Sequence, residues 1–225
     1  MTGILTGIKV VEFAQNAAVP YCGRLLAGMG ADVVKVEPLE GDAMRGLAQL
    51  APNEGKAYAV INPGKRGITL DLGSDDAGTV VDALFTWADV ALVGFKQPDL
   101  LRYRIDDIHA RSINSRLIHL THTPFGPEGP DADVGGYDVL VQGRSGAGFI
   151  MNRTENGVPV STRPAINDFG TGIASALGVV AALRHRDLTG EGQRVDASLL
   201  GTALALATPV VNFFEKIDPE AVAQL

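Results

Sequence analysis

The chain predicts an α/β fold, a mostly parallel sheet flanked by helices, on three observations. Short β-branched runs recur along it, helical segments with their own start and stop signals separate them, and no internal repeat or low-complexity linker interrupts the alternation. "IKVVEF" (8–13) and "DVVKVE" (32–37) are the first two runs. Between them "PYCGRLLAGMG" opens with Pro20 and closes with Gly28 and Gly30. Proline suits a first turn, whose amides are unused, and glycine suits the exit. "GITLDL" (67–72) reads as a strand, and Ser74 followed by Asp75 and Asp76 reads as an N-cap with a favourably charged first turn for a helix through "TVVDALFTWA". "DVALVG" (89–94), a helix near 105–114 and "RLIHLT" (116–121) continue the pattern. Segment 122–136, dense in proline, glycine and aspartate, reads as a long surface loop of the kind that often carries function. A short helix near "DVLVQGRSG" follows, then an irregular stretch to Asn167 and a helix from Asp168 to about Arg186. "LTGEGQ" breaks that helix, "RVDAS" supplies a strand, and a last helix starts near Leu199.

With 225 residues, 46% of them hydrophobic and 20% charged, the chain can bury a substantial core as one domain, or one with an appendage. Its net charge of -7 disfavours a sequence-independent grip on nucleic acid, so no nucleic-acid partner is expected and an anionic ligand must be held by a few local cations. Cys22 is the single cysteine, which excludes an intrachain disulfide, suits a reducing compartment and reads as a core thiol beside Tyr21. "MTGILTGIKV" lacks a basic leader followed by an apolar stretch. The oily segment "LLGTALALATPVVNFF" is interrupted by Thr202, Thr208, Pro209 and Asn212 and falls short of a bilayer span, so it reads as a buried helix. The expectation is a soluble cytoplasmic protein without a membrane partner.

Asp168, directly before "FGTGIASALGVVAAL", has the look of a helix N-cap, its carboxylate accepting the free amides of the first turn. Gly170 and Gly172 lower helix propensity there, which makes sense if something must approach the backbone closely. The same free amides can host an anionic ligand or a developing negative charge. "GTGIAS" also scores as a degraded dinucleotide fingerprint with Asp196 as its acidic residue, but Asp168 would face the pyrophosphate and Ser175 stands for the third glycine. His119 and His122 are spaced H-x-x-H, which alternation sends to opposite faces of a strand; with no third ligand in view, no metal is expected. His109 and His185 read as exposed helix residues. Lys65 and Arg66 precede a strand, whereas Lys96, Arg102 and Arg104 follow one. Clefts in open α/β sheets lie outside the carboxyl ends of strands, which favours the second group for phosphate, with Phe95 placed to stack a flat heterocycle. Each of these cations taken singly reads as solvated surface charge.

Six stretches in order resemble the class III CoA-transferase family, which also contains acyl-CoA racemases. They are "GIKVVEFAQNAAVPYCGRLLAGMGADVVKVEPLEGD", "NPGKRGITLDL", "ADVALVGF", "NSRLIHLTHTPFGPEGP", "GGYDVLVQGRSG" and "INDFGTGIASALGVVAALRHRDLTGEGQRVDASLL". The resemblance covers essentially the whole chain and implies a Rossmann-like CoA-binding domain over residues 1–198, followed at 199–225 by a helical segment leading toward a second domain. It implies Asp168 as the nucleophile that takes an acyl group and then CoA itself, between an acyl-CoA donor and a carboxylic acid acceptor. A helix N-terminus would keep that carboxylate ionised.

The resemblance further places coenzyme A along the sheet's carboxyl edge. Asn16, Ala17 and Ala18 would lie near the thiol end, Leu70, Asp71, Leu72, Gly73, Gly94, Phe95 and Lys96 near the nucleotide, and Arg102, Gly135, Gly136 and Tyr137 would add contacts. Some transferases carry glutamine where this chain has Ala17, and a basic residue where it has Pro38 and Gly73. A racemase would carry histidine where Tyr137 stands, which favours a transferase over a racemase. Members of the family are longer, with a second domain and interlocked dimers, so the resemblance implies a homodimer or a pairing with a second-half subunit. The competing reading is a CoA-binding partner subunit without turnover of its own.

Overall fold

Short runs of valine, isoleucine and leucine pair side by side into a six-stranded sheet in which every described pairing is parallel. The computed structural model describes residues 3–52, 54–147, 154–162 and 164–211. Its elements run β1 (Lys9–Phe13), α1 (Ala18–Gly28), β2 (Asp32–Glu37), a 3-10 turn (Ala43–Gly46), β3 (Gln49–Ala51), β4 (Glu54–Gly55), α2 (Lys56–Ile61), β5 (Arg66–Thr69) and α3 (Ala77–Trp87). There follow β6 (Val90–Val93), α4 (Gln97–Arg102), α5 (Asp107–Ile113), β7 (Ile118–Thr123), α6 (Asp138–Arg144), β8 (Thr154–Glu155), β9 (Val158–Pro159), α7 (Ile166–Thr189), β10 (Arg194–Ser198) and α8 (Leu199–Val211). Residues 212–225 of the expected C-terminal segment lie outside the described residues.

The strand order is β10-β7-β6-β1-β2-β5. From the central β1 the chain winds outward through β2 to β5, returns to β6 on the other side, and winds outward again through β7 to β10. Strand order therefore reverses between β1 and β6, and a crevice opens at their carboxyl ends, where open α/β sheets bind ligands. Parallel crossovers place helices on both faces, which is why the inner strands are apolar on both sides. Val10, Val33, Val90, Leu92, Ile118 and Leu120 meet Val19, Cys22 and Leu26 of α1 and Ala176, Val179, Ala182 and Leu183 of α7. Val11, Phe13, Val36, Ala91 and Val93 meet Val81 and Phe85 of α3 together with Leu100, Ile105 and Ala110. The core thiol of Cys22 is buried, as expected, and burial pushes its pKa up.

One local expectation changes, and two helices add to the reading. Ser74 does not cap α3: its hydroxyl donates to the Asp71 carbonyl at 2.8 Å, and the Asp71 carboxylate takes the Gly73 amide at 2.9 Å, so the strand stops at Thr69 and the chain turns first. The helix expected near 105–114 is α5, and an unexpected short helix, α4, closes its own turn from Gln97 to Arg102 behind Pro98. The helix long and apolar enough to cross a bilayer is α7, not the segment at Leu199. It is a core helix here, with Thr171, Ser175 and Arg186 buried and Arg186 paired to Asp89 at 2.9 Å.

Candidate active site

The crevice at the switch point is a cavity of about 560 Å³. The turn after β1 (Gln15, Asn16, Ala17, Ala18), the turn after β6 (Gly94, Phe95, Lys96), His122 and Pro124 at the end of β7, Gly135, Gly136 and Tyr137 ahead of α6, and Asp168 of α7 all line it. A second cavity of about 300 Å³ shares Gln15 and Phe95 with the first and adds Leu70, Asp71, Leu72, Gly73 and Tyr103. A third of about 210 Å³ shares Leu72, Gly73 and Tyr103 with the second and adds Arg102 and Arg104. All the residues singled out in the sequence for nucleophile and ligand contacts thus lie along one run of adjoining cavities. Lys96 and the two arginines fall at its opposite ends, so the cations after β6 do not form a single cluster.

The turn after β1 is held by charges inside the protein. Asn16 adopts φ +66°, a left-handed conformation that asparagine tolerates better than most residues, and its amide donates to Asp42 Oδ1 at 3.4 Å. Asp42 Oδ2 forms an ion pair with Lys35 Nζ at 2.9 Å, and Lys35 also donates to Glu12 Oε1 at 3.0 Å and to the Ala14 carbonyl at 2.5 Å. Burial opposes the charge on Lys35, but the carboxylates of Glu12 and Asp42 outweigh it and raise the lysine's pKa. The other Glu12 oxygen takes Lys65 Nζ at 2.7 Å, which also donates to the Pro20 carbonyl at 2.7 Å and to Asn62 Oδ1 at 2.8 Å. Lys65 is therefore no surface cation. Glycine at position 23 makes room, since a Cβ there would collide with Glu12 Oε2.

Asp168 is not a cap. It is the third residue of α7, and the amides of Asn167 and Asp168 donate instead to Asp138 Oδ2, at 2.7 and 3.1 Å. Asp138 is buried at the start of α6, and its other oxygen accepts from Gln142. With these amides occupied by a carboxylate, the helix end does not hold Asp168 ionised. Burial, and then repulsion from Asp138, raise the Asp168 pKa to about 7. No ion pair or hydrogen bond reaches its carboxylate among the described residues.

The neighbouring glycines do not face the cavity either. A Cβ on Gly172 would sit 2.8 Å from the Ala18 carbonyl oxygen, and one on Gly170 would sit 2.9 Å from Thr202 Cγ2, so they let α7 close on α1 and α8. Tyr21 and Phe169 meet edge to face at 4.9 Å beside that contact.

The histidines part as alternation demands. His119 Nε2 lies 2.9 Å from the Ile105 carbonyl, whereas His122 lines the cavity, where burial lowers its pKa to about 4 and its Nε2 meets no partner among the described residues. His109 is half-buried rather than exposed, with Nε2 2.8 Å from Asp82 Oδ1. Sequence reasoning missed Gln15 and Tyr103, which join the cavities, and Asp138, whose partners are a helix away. Chemically, the arrangement offers a carboxylate that no cation pairs among the described residues, at the mouth of a helix and open to a cavity that abuts a second slot of mixed apolar and acidic lining.

A family model described as CoA-transferase family III matches residues 5–220. The chain belongs to this family. Among its relatives, the succinate–glutarate CoA-transferase of Agrobacterium fabrum is 39% identical over 218 residues, covering 93% of this chain and 54% of that one. The formyl-CoA:oxalate CoA-transferase of Rhodopseudomonas palustris is 37% identical over 220 residues, covering 97% of this chain and 51% of that one. A crystal structure of a CAIB/BAIF family protein from Brucella suis superposes with a TM-score of 0.84 at 34% identity, covering 93% of this chain and 56% of that one. The family fold is thus the α/β sheet described above, and the chain spans about half the length of the curated relatives it matches.

Proposed function

We propose that the chain is the CoA-binding, nucleophile-bearing part of a CoA-transferase that moves CoA from an acyl-CoA to a carboxylic acid through Asp168. The unpaired Asp168 carboxylate, lining a cavity continuous with the slot at Leu70, Leu72 and Phe95, carries the reading. A carboxylate oxygen attacks the thioester carbonyl and expels the CoA thiolate, leaving an acyl-aspartyl anhydride. The thiolate attacks the aspartyl carbonyl, releases the donor acid and leaves an aspartyl-CoA thioester. The acceptor carboxylate then attacks that thioester, expelling the thiolate and forming a second anhydride. Attack of the thiolate on the acceptor's acyl carbon gives the new acyl-CoA and restores Asp168. Dividing the exchange in this way lets one carboxylate serve both acids. A pKa near 7 suits the role: enough carboxylate is present at neutral pH, and it is more basic than an exposed aspartate.

The relatives' names carry succinate, glutarate and oxalate, so a short dicarboxylic acid is the acceptor class proposed. Tyr137 in the cavity wall, where a racemase would need a second acid/base, favours transfer over racemisation. Exposed Ile173 and Leu177 on α7 and Leu204 and Leu206 on α8 favour association with a second copy or a second-half subunit. The same exposed apolar residues of α7 and α8 favour a second reading, a CoA-binding subunit that transfers nothing unless paired.

The chain is incubated with an acyl-CoA, several carboxylic acids and hydroxylamine, and the peptide bearing Asp168 is weighed. A hydroxamate at Asp168, absent from Asp168→Ala, is expected along with exchange of CoA between acids. Exchange by Asp168→Ala at the wild-type rate would sink the mechanism, and binding without exchange would select the second reading.

A further inference from the structure

We infer that Arg104, together with Arg102, forms a subsite for the phosphate monoester on the ribose of a nucleotide seated beside it, and that this subsite lets the chain tell coenzyme A from its 3′-dephospho form. The inference rests on the CoA reading above and adds to it the part of the ligand that is recognised.

Charge decides where such a phosphate can go. The slot formed by Leu70, Leu72 and Phe95 is walled by Glu37, Glu40 and Asp71, with no lysine or arginine among its lining residues. A dianion is repelled there. Arg45, the cation nearest those carboxylates, is already committed to Glu37, with Nε 2.7 Å from Oε2. Beyond Gly73 and Tyr103 the sign changes: Arg102 and Arg104 face a single lining carboxylate, Asp75. Arg104 Nη2 reaches Asp82 only at 3.6 Å, beyond hydrogen-bond distance, and both side chains are exposed, so the guanidinium's donors are available to an incoming anion.

The backbone adds a second, independent observation. Helix α4 closes with the Ile105 amide on the Leu100 carbonyl at 2.9 Å and the Arg104 amide on the Leu101 carbonyl at 3.2 Å. That pair of bonds puts Arg104 at the left-handed position just past the helix, where glycine is favoured, and its φ is indeed +56°. A side chain at this position is a cost to the fold that glycine would avoid. The guanidinium that this strained residue contributes lies in the wall of the cationic cavity.

Calorimetric titration of the chain with coenzyme A and with 3′-dephospho-coenzyme A tests the inference. The wild type is expected to bind coenzyme A about tenfold more tightly, as suits a charge-assisted contact at a partly exposed site, with the preference shrinking in high salt. Arg104→Gly and Arg104→Asn, both compatible with a left-handed backbone, should lose the preference while keeping their affinity for the dephospho form. The thermal midpoint of Arg104→Gly should be equal to the wild type's or higher. Equal affinities in the wild type overturn the subsite, and a tenfold preference retained in both variants overturns Arg104's part in it. Failure of the wild type to bind either ligand overturns the CoA reading itself.

Discussion

Glu12 and Asp168 are both carboxylates withdrawn from water within one domain, and their surroundings are opposite. Glu12 is fully buried between two lysines, one on each oxygen. Asp168 is half-buried, receives no ion pair among the described residues, and has another carboxylate, Asp138, as the charge that bears on it. Every valence of Glu12 is spent on holding β1, β2 and the turn that carries Asn16. The charge on Asp168 is left uncompensated, so it has something to gain from a bond to carbon. Pairing marks the scaffold, and its lack marks the reactive group.

The contrast can be broken most forcefully at Glu12. Glu12→Ala leaves buried Lys65 without a carboxylate and Lys35 with Asp42 alone, and should destabilise the fold by about 3–5 kcal/mol, read from urea unfolding. The same kind of change at Asp168 should act in the other direction. Because its folded pKa of about 7 lies above the ordinary aspartate value of 3.8, the folded state binds the extra proton between those pH values. The stability this contributes is complete below the unfolded value and is lost as pH rises through about 7. Asp168→Asn should therefore be more stable than the wild type by up to about 4 kcal/mol at pH 8, with the difference nearly gone near pH 4 in thermal or denaturant melts. The smallest and sharpest change is Asp138→Asn, which removes the repelling charge while keeping an oxygen for the two amides. The midpoint of the pH profile for hydroxamate trapping at Asp168 should fall below 7, and the melting temperature should fall as well, since an NH2 group replaces the oxygen that accepts from Gln142. An unmoved midpoint would remove Asp138 from the account.

The fold was legible wherever the signal is local. β1, α1 and β2 could be bounded because valine runs, Pro20 and Gly28 sit within the elements they define. The candidate site residues came from the family resemblance, and their lying along adjoining cavities follows because turns after parallel strands gather at one edge. What could not be read are facts that depend on distant partners. The cap of α7 comes from Asp138, some thirty residues upstream, so Asp168 looked like the cap it is not. Lys65 looked exposed because nothing beside it in sequence reveals Glu12. Gly170 and Gly172 looked like clearance for a ligand, when the groups they avoid are the side chain of Thr202 and the backbone of Ala18. Part of the rise in the Asp168 pKa was hidden for the same reason: burial is its main cause, but the Asp138 carboxylate that adds to it lies far off in sequence.

Asn16 has a bearing on how variation at the site is interpreted. Its left-handed backbone, pinned through its amide to Asp42, restricts the position before any ligand arrives. A saturation library selected for activity would favour asparagine, aspartate and glycine there for reasons of geometry alone, so a narrow outcome at residue 16 is no measure of substrate contact. Ala17, just ahead of α1, and Ala18, its first residue, carry no such backbone filter; Ala18 also packs with Phe125 and Leu199, so the tolerance found at Ala17 would report more directly on what enters the cavity.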